Sequence, residues 1–162
     1  MARIRVSMLG GFAAVGPDGA PVPLPTRKAE AVLALLLCRS GEAQPRERLI
    51  GLLWGDRGDK QARHSLSQTL TAIRAAIGDT ADPFIAERET LAIAAGAIGA
   101  DVIDLAQLAE RDDLESLRAA AELCRGPLLE GFRVPDAAFD EWLLQERARF
   151  QQLALALLSK LA

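Results

Sequence analysis

The 162-residue sequence holds no tyrosine, one histidine, two cysteines, five Phe and two Trp. So few rings exclude an aromatic platform that stacks single-stranded bases, and one histidine excludes histidine-rich metal catalysis. Cys38 and Cys124 stand 86 positions apart in apolar, helix-like surroundings. They make neither a disulfide framework nor a zinc site, and they fit a reducing, cytoplasmic setting. No apolar run approaches the roughly 18 residues of a membrane span. The opening Met1-Ala2-Arg3-Ile4-Arg5 enters an alternating pattern rather than the apolar core of a secretory signal. Nucleophile elbow, P-loop and histidine-based triad are missing, and Gly10-Gly11 lacks the later glycine of a dinucleotide fingerprint. An enzyme is therefore not expected. Nothing in the sequence requires a metal, nucleotide or organic cofactor.

Half of the residues are hydrophobic and 25% are charged, ordinary values for a globular protein that buries a core. The net charge of −3 divides unevenly: residues 1–99 carry 12 Lys+Arg and 10 Asp+Glu, residues 100–162 carry 7 and 12. Two parts with different partners are implied. Within the first part, Lys60 to Gly78 contains Lys60, Arg63 and Arg74 and no acid.

Arg3 to Leu9 alternates with period two, the mark of a strand with one wet face. Gly10-Gly11 interrupts it and Phe12-Ala13-Ala14-Val15 resumes. Gly16-Pro17-Asp18-Gly19 supplies turn chemistry, and Val22-Pro23-Leu24-Pro25 allows only a short edge strand. These make a small antiparallel N-terminal sheet. Thr26 caps a helix to about Ser40, with Ala29, Val32, Leu33, Leu36 and Leu37 as its apolar stripe. Pro45 opens a shorter helix to Trp54, with Leu49, Ile50 and Leu53 inward. A third helix spans Asp59 to Ile77 and stops at Gly78. Phe84-Ile85-Ala86 and Leu91-Ala92-Ile93 form a hairpin around Glu87-Arg88-Glu89-Thr90. Sheet, three helices and hairpin is the element order of a winged helix-turn-helix, an α+β fold.

Residues 95–100 read as a domain junction between 1–97 and 98–162, and the second part is all-α. Asp101 caps a helix to Glu110, Asp112 with Glu115 starts another to Cys124, and Gly126-Pro127 ends it. Asp136 opens a long final helix whose apolar side carries Phe139, Trp142, Leu143, Phe150, Leu153, Ala154, Leu157, Leu158 and Leu161.

On the third helix Ala62, Leu66, Leu70, Ile73 and Ile77 share one side. The opposite arc collects Lys60, His64, Ser67, Gln68 and Thr71, with Arg63 and Arg74 at its margin. Cationic and donor-bearing side chains of this kind contact phosphates and base edges in a major groove; a solvated amphipathic helix is the plainer alternative. His64 has no Cys, Asp or Glu at ligand spacing and is expected at a groove or in solvent. Trp54 is expected in the core.

Leu24-Pro25-Thr26-Arg27-Lys28-Ala29, Arg46-Glu47-Arg48-Leu49 through Leu52-Leu53-Trp54, and Ala62-Arg63-His64-Ser65-Leu66-Ser67-Gln68-Thr69-Leu70 together resemble the SARP family of bacterial transcriptional activators. These pair an OmpR-type winged helix with a helical, TPR-like bacterial transcriptional activation domain. Cys124-Arg125-Gly126-Pro127-Leu128-Leu129-Glu130-Gly131-Phe132 and Phe139-Asp140-Glu141-Trp142-Leu143 with Glu146-Arg147 look like that second domain's opening helices. The resemblance implies sequence-specific binding of double-stranded DNA. Lys60, Arg63, His64, Ser67, Gln68, Thr71 and Arg74 would then contact it from the third helix, with readout by His64, Ser67, Gln68 and Thr71. Arg27, Lys28, Arg46 and Arg48 would grip phosphates. It also implies a loop facing RNA polymerase at Asp56 and Arg57, self-association through the helical part, and a longer activation domain than 98–162 supplies.

Two features depart from the family pattern. The hairpin turn Glu87-Arg88-Glu89 is net negative and predicts a poor phosphate contact, and His64 stands where asparagine is common. His64 bears on base preference; the acidic turn and the near-zero net charge of residues 1–99 leave open a protein-interaction module whose winged helix no longer binds DNA.

Overall fold

The computed structural model describes residues 3–78 and 82–162; the opening Met1-Ala2 lies outside them. The alternating N-terminus forms β1 (Arg5–Ser7) and β2 (Ala13–Val15), paired antiparallel with Val6 opposite Ala14. Both of those side chains are buried, as period two requires. The turn between β2 and Ala20 uses Gly19 at φ +82°, a backbone region that suits glycine. The edge strand expected at Val22–Pro25 is absent. Pro21 makes a single bridge to Val15 and the Val22 N–H donates to the Ala14 carbonyl at 2.9 Å. Prolines at 21, 23 and 25 lack the N–H groups that would extend the ladder.

The first helix, α1 (Arg27–Leu37), is capped by Thr26, whose hydroxyl accepts from the Ala29 N–H at 3.0 Å. It ends before Ser40, with Cys38 as its C-cap. More than the expected stripe is inside: Ala31, Ala34 and Leu35 are buried as well, so α1 is the central helix of the core. A two-residue strand, β3 (Gln44–Pro45), leads into α2 (Arg46–Leu53), with Pro45 as the N-cap rather than the first helical residue. The third helix, α3 (Asp59–Ile77), has the bounds read from its pattern and stops at Gly78, φ +85°. The hairpin follows as β4 (Phe84–Ala86) and β5 (Thr90–Ile93), and β3 pairs with the other edge of β5. The winged helix-turn-helix expected from the element order is thus the fold observed.

At the junction, Gly99–Ala100 forms β6, which pairs parallel to β1 and makes the first sheet β2-β1-β6. It runs into α4 (Asp101–Ala109), followed by α5 (Leu114–Leu123) and α6 (Ala137–Leu161). Two caps differ from expectation. Asp101 lies inside α4 and turns its carboxylate to β1's end, accepting from Met8 N–H at both oxygens and from Leu9 N–H, each at 2.9 Å. Asp113, not Asp112, caps α5 through the Ser116 N–H. Asp136 caps α6 as read, accepting from Ala138 N–H at 2.9 Å.

The two halves share a buried core that runs from Ile4 to Leu157. Residues 127–130 lie along 8–10: Gly10 donates to the Pro127 carbonyl, Leu129 to Met8 and Glu130 to Gly10. Arg147 on α6 fastens the same corner, reaching the Leu128 and Leu129 carbonyls at 2.8 and 2.9 Å. Of the apolar side expected for α6, Phe139, Trp142, Leu143, Phe150 and Leu157 are buried. Leu158 is 54% exposed, unlike the apolar side expected for it: Leu157 beside it is 2% exposed and takes the inward position of that turn, with Leu153 and Leu161 packed on the core one turn to either side. Trp54 is buried as expected. Among the described residues no helix is long and apolar enough to cross a membrane. Both cysteines are free, and burial pushes the Cys38 thiol well above its ordinary range.

A buried carboxylate with two half-exposed arginine partners joins α6 to the segment that follows α1. Glu146, 3% exposed, accepts from Arg149 at 2.6 Å and from Arg39 at 3.0 Å, while Arg149 also donates to the Cys38 carbonyl. Arg149→Ala removes one of two partners from a buried carboxylate, and Arg39 retains the other. The expected cost is about 2 kcal/mol, below the value for a wholly unpaired charge, read from urea unfolding. A loss under about 0.5 kcal/mol would mean that solvent replaces the guanidinium freely.

Candidate nucleic-acid interface

The 19 residues of α3 are held by one face: Ala62, Leu66, Leu70 and Ile73 are buried, and Ser65 with them. The 3.6-residue period then leaves Lys60, His64, Ser67, Gln68 and Thr71 exposed on the opposite arc. The sequence-derived arc is therefore intact as a surface. The Thr71 hydroxyl donates back to the Ser67 carbonyl at 3.1 Å, which orients its oxygen but leaves it able to accept.

The two arginines at the margin are engaged. Arg63 donates through Nε and Nη2 to one Glu47 oxygen, at 3.2 and 2.9 Å, across the gap between α3 and α2. Both side chains are 64% exposed, so the pair sits in water and is worth little. Arg74 reaches Asp82 at 3.1 Å and stacks over Phe84 with 5.3 Å to the ring centre. It ties the end of α3 to the start of the hairpin. Backbone N–H of Phe84 and the Arg74 guanidinium together hold the Asp82 carboxyl below its usual range.

The four other candidate cations separate into two places. Arg46 lies beside the hairpin turn: its N–H donates to the Glu89 carbonyl at 2.8 Å and its Nε to the Glu87 carbonyl at 2.9 Å. Arg48 donates to the buried Gln44 side chain at 2.7 Å, bracing α2 on β3. Arg27 and Lys28 instead lie at the start of α1, Arg27 toward the helical part and Lys28 toward the end of α2. Arg27 stacks over Phe132, 5.3 Å from the ring centre, and pairs with Glu30, while Lys28 stands 5.2 Å over Trp54. Burial, and then Arg57, lower the Lys28 pKa, with Asp56 and Asp136 opposing. In the α2–α3 loop Asp56 and Arg57 are exposed, and Arg57 donates to the Ser65 hydroxyl at 2.9 Å.

One residue that sequence reasoning passed over belongs here. Arg88 at the hairpin tip opens onto a cleft of about 490 Å³ that Arg46, Glu47, Arg63 and Glu89 also line. Adding the charges of Glu87-Arg88-Glu89 concealed it, because a sum along the chain carries no direction.

No protein-family model matches the chain, and no curated protein matches it. Among solved structures it is similar to that of Mycobacterium tuberculosis EmbR in complex with a low affinity phosphopeptide, with a TM-score of 0.74 and 22% identity. The match covers 97% of this chain and 44% of the EmbR chain, so this chain spans less than half of that protein. At this identity the likeness is one of fold: a winged helix followed by helices in the same order.

Proposed function

We propose that the chain binds double-stranded DNA as part of a transcription regulator of the SARP type, with α3 in the major groove. The observation that carries this reading is the exposed arc Lys60, His64, Ser67, Gln68 and Thr71, free of acids, on a helix whose other face is buried. A helix-turn-helix presents its second helix in this way. His64, Ser67, Gln68 and Thr71 read base edges, while Lys60, Arg63, Arg46 and Arg88 meet phosphates. Arg74 and Arg48 act at shorter range, holding the hairpin and β3 in register with α3.

Residues 1–97 are the DNA-binding unit in this reading, and 98–162 belong to an activation domain that continues in a longer regulator. Asp56 and Arg57 form a polymerase-facing loop. The exposed Leu144, Leu155 and Leu158 on α6 serve self-association. A protein working on DNA with two free thiols belongs in the cytoplasm.

The test is fluorescence anisotropy with random-sequence duplex DNA over a salt series. Lys60→Ala with Arg63→Ala weakens binding about 30-fold at low salt and makes the log–log salt slope shallower by about 2, one unit per lost phosphate contact. Ser67→Ala with Gln68→Ala spares that slope and flattens preference among duplexes selected for tight binding. The second reading, a protein-interaction module, is favoured by the acids that already hold Arg63 and Arg74. Wild-type protein that ignores duplex DNA even at low salt would decide for it.

A further inference from the structure

The cleft between α2, α3 and the hairpin has a composition that its place in the fold does not require. Three arginines, Arg46, Arg63 and Arg88, and two glutamates, Glu47 and Glu89, line it. Each arginine comes from a different element, so the cluster exists only because the hairpin folds back onto α2. The Nε bond to the Glu87 carbonyl aims the Arg46 guanidinium, and among the described residues its two Nη groups have no acceptor. Pro45 gives α2 no side-chain cap. The N–H groups of Glu47 and Arg48 in that helix's first turn thus remain for an anion, where the helix dipole favours negative charge. In the free protein the anion nearest to hand is the Glu47 carboxylate, which takes two donors of Arg63 with a single oxygen.

We propose that the Glu47 carboxylate stands in for a DNA backbone phosphate. On binding, a phosphate displaces it from Arg63 and is clamped by Arg46, Arg63 and Arg88. The proposal rests on the DNA-binding reading and deepens it: Glu47 is a counter-ion built into the interface. A backbone phosphodiester has two non-bridging oxygens, as a carboxylate has, but it is not tethered to α2 and is free to sit among all three guanidiniums, whereas the Glu47 carboxylate reaches Arg63 alone. Exchange is accessible because the Arg63–Glu47 pair is exposed and weak. Its consequence is weaker sequence-independent binding. Non-specific binding is driven by phosphate contacts, and an internal acid that must be expelled lowers that background, while base-edge contacts of α3 are untouched.

Anisotropy with a random-sequence duplex, across salt, compares the wild type with Glu47→Gln and Arg88→Ala, and Arg63→Ala with Glu47→Gln/Arg63→Ala. Glu47→Gln is expected to bind about fivefold tighter at low salt, with a slope steeper by about one unit. Arg88→Ala is expected to bind several-fold weaker with a shallower slope. The double variant is expected to lose the gain, because the released guanidinium is gone. A gain that survives Arg63→Ala would trace to net charge alone and overturn the proposal. So would salt-dependent wild-type binding that Glu47→Gln and Arg88→Ala leave unchanged, and in that case the DNA-binding reading stands. Absence of duplex binding by the wild type overturns both.

Discussion

Asp101→Ala is expected to lower the unfolding free energy by about 3 kcal/mol, since it strands two buried N–H groups at about 1–3 kcal/mol each. Met8 and Leu9 donate to this carboxylate at the point where β1 runs out of strand partners. Both residues are buried, so water does not take over. Asp101→Asn recovers only part of the loss, because an amide offers one acceptor oxygen and turns an N–H₂ toward a donor. Urea unfolding followed by circular dichroism reads the difference. A loss below about 1 kcal/mol would show that the two N–H groups find other acceptors.

The effect carries a pH signature. Burial pushes the Asp101 carboxyl above the ordinary aspartate range, against the opposing pull of the Leu9, Met8 and Val102 N–H groups. With the folded pKa above the unfolded one, the unfolded chain ionises first as pH rises. Stability from this group is therefore full below the unfolded value, about 3.9, and declines as pH climbs toward the folded value. The alanine variant has no such group. Its deficit relative to wild type is largest at the acid end of that window, shrinks across it, and stays level above it.

Phe139→Ala is expected to cost about 4 kcal/mol, in the range for deleting a buried ring. Phe139 is fully buried, with its ring centre 5.9 Å from Phe132 and 5.3 Å from Trp142. It sits in the first turns of α6, the helix that packs on both α2 and α5. The ring belongs to the buried core that the two halves share, so the deficit belongs to both. Calorimetry of the wild type should show one transition, and the variant one transition at lower temperature, displaced by roughly 8 °C or more for a chain of this size. Two resolved transitions, with only the second displaced, would mean that the halves unfold independently.

Features that depend on neighbours in the chain were legible without coordinates. The bounds of α3 follow from a 3.6-residue period closed by Gly58 before it and Gly78 after it. Thr26 and Asp136 cap their helices because the donor each needs is two or three residues away. The hairpin and the exposed arc of α3 are equally local, since one buried face determines which residues are left outside. Arg63 and Arg74 were read as cations, which they are.

What only the tertiary structure decided is which distant groups meet. β3 and β6 are two residues each and show no period; they are strands because β5 and β1 lie alongside. Asp101 has the residue type of a cap, yet its acceptors serve Met8 and Leu9, 93 and 92 positions earlier. Arg27 and Lys28 have the charge of phosphate contacts, but their side chains stack over Phe132 and Trp54, rings 105 and 26 positions further along the chain. Glu47 and Arg63 stand 16 residues apart and Arg88 comes from the hairpin, so a cleft shared among them has no signature along the chain. Period and capping act over a few residues and are written in order. Ion pairs, strand partners and clefts act through space, and a helix must first be packed before its neighbours exist.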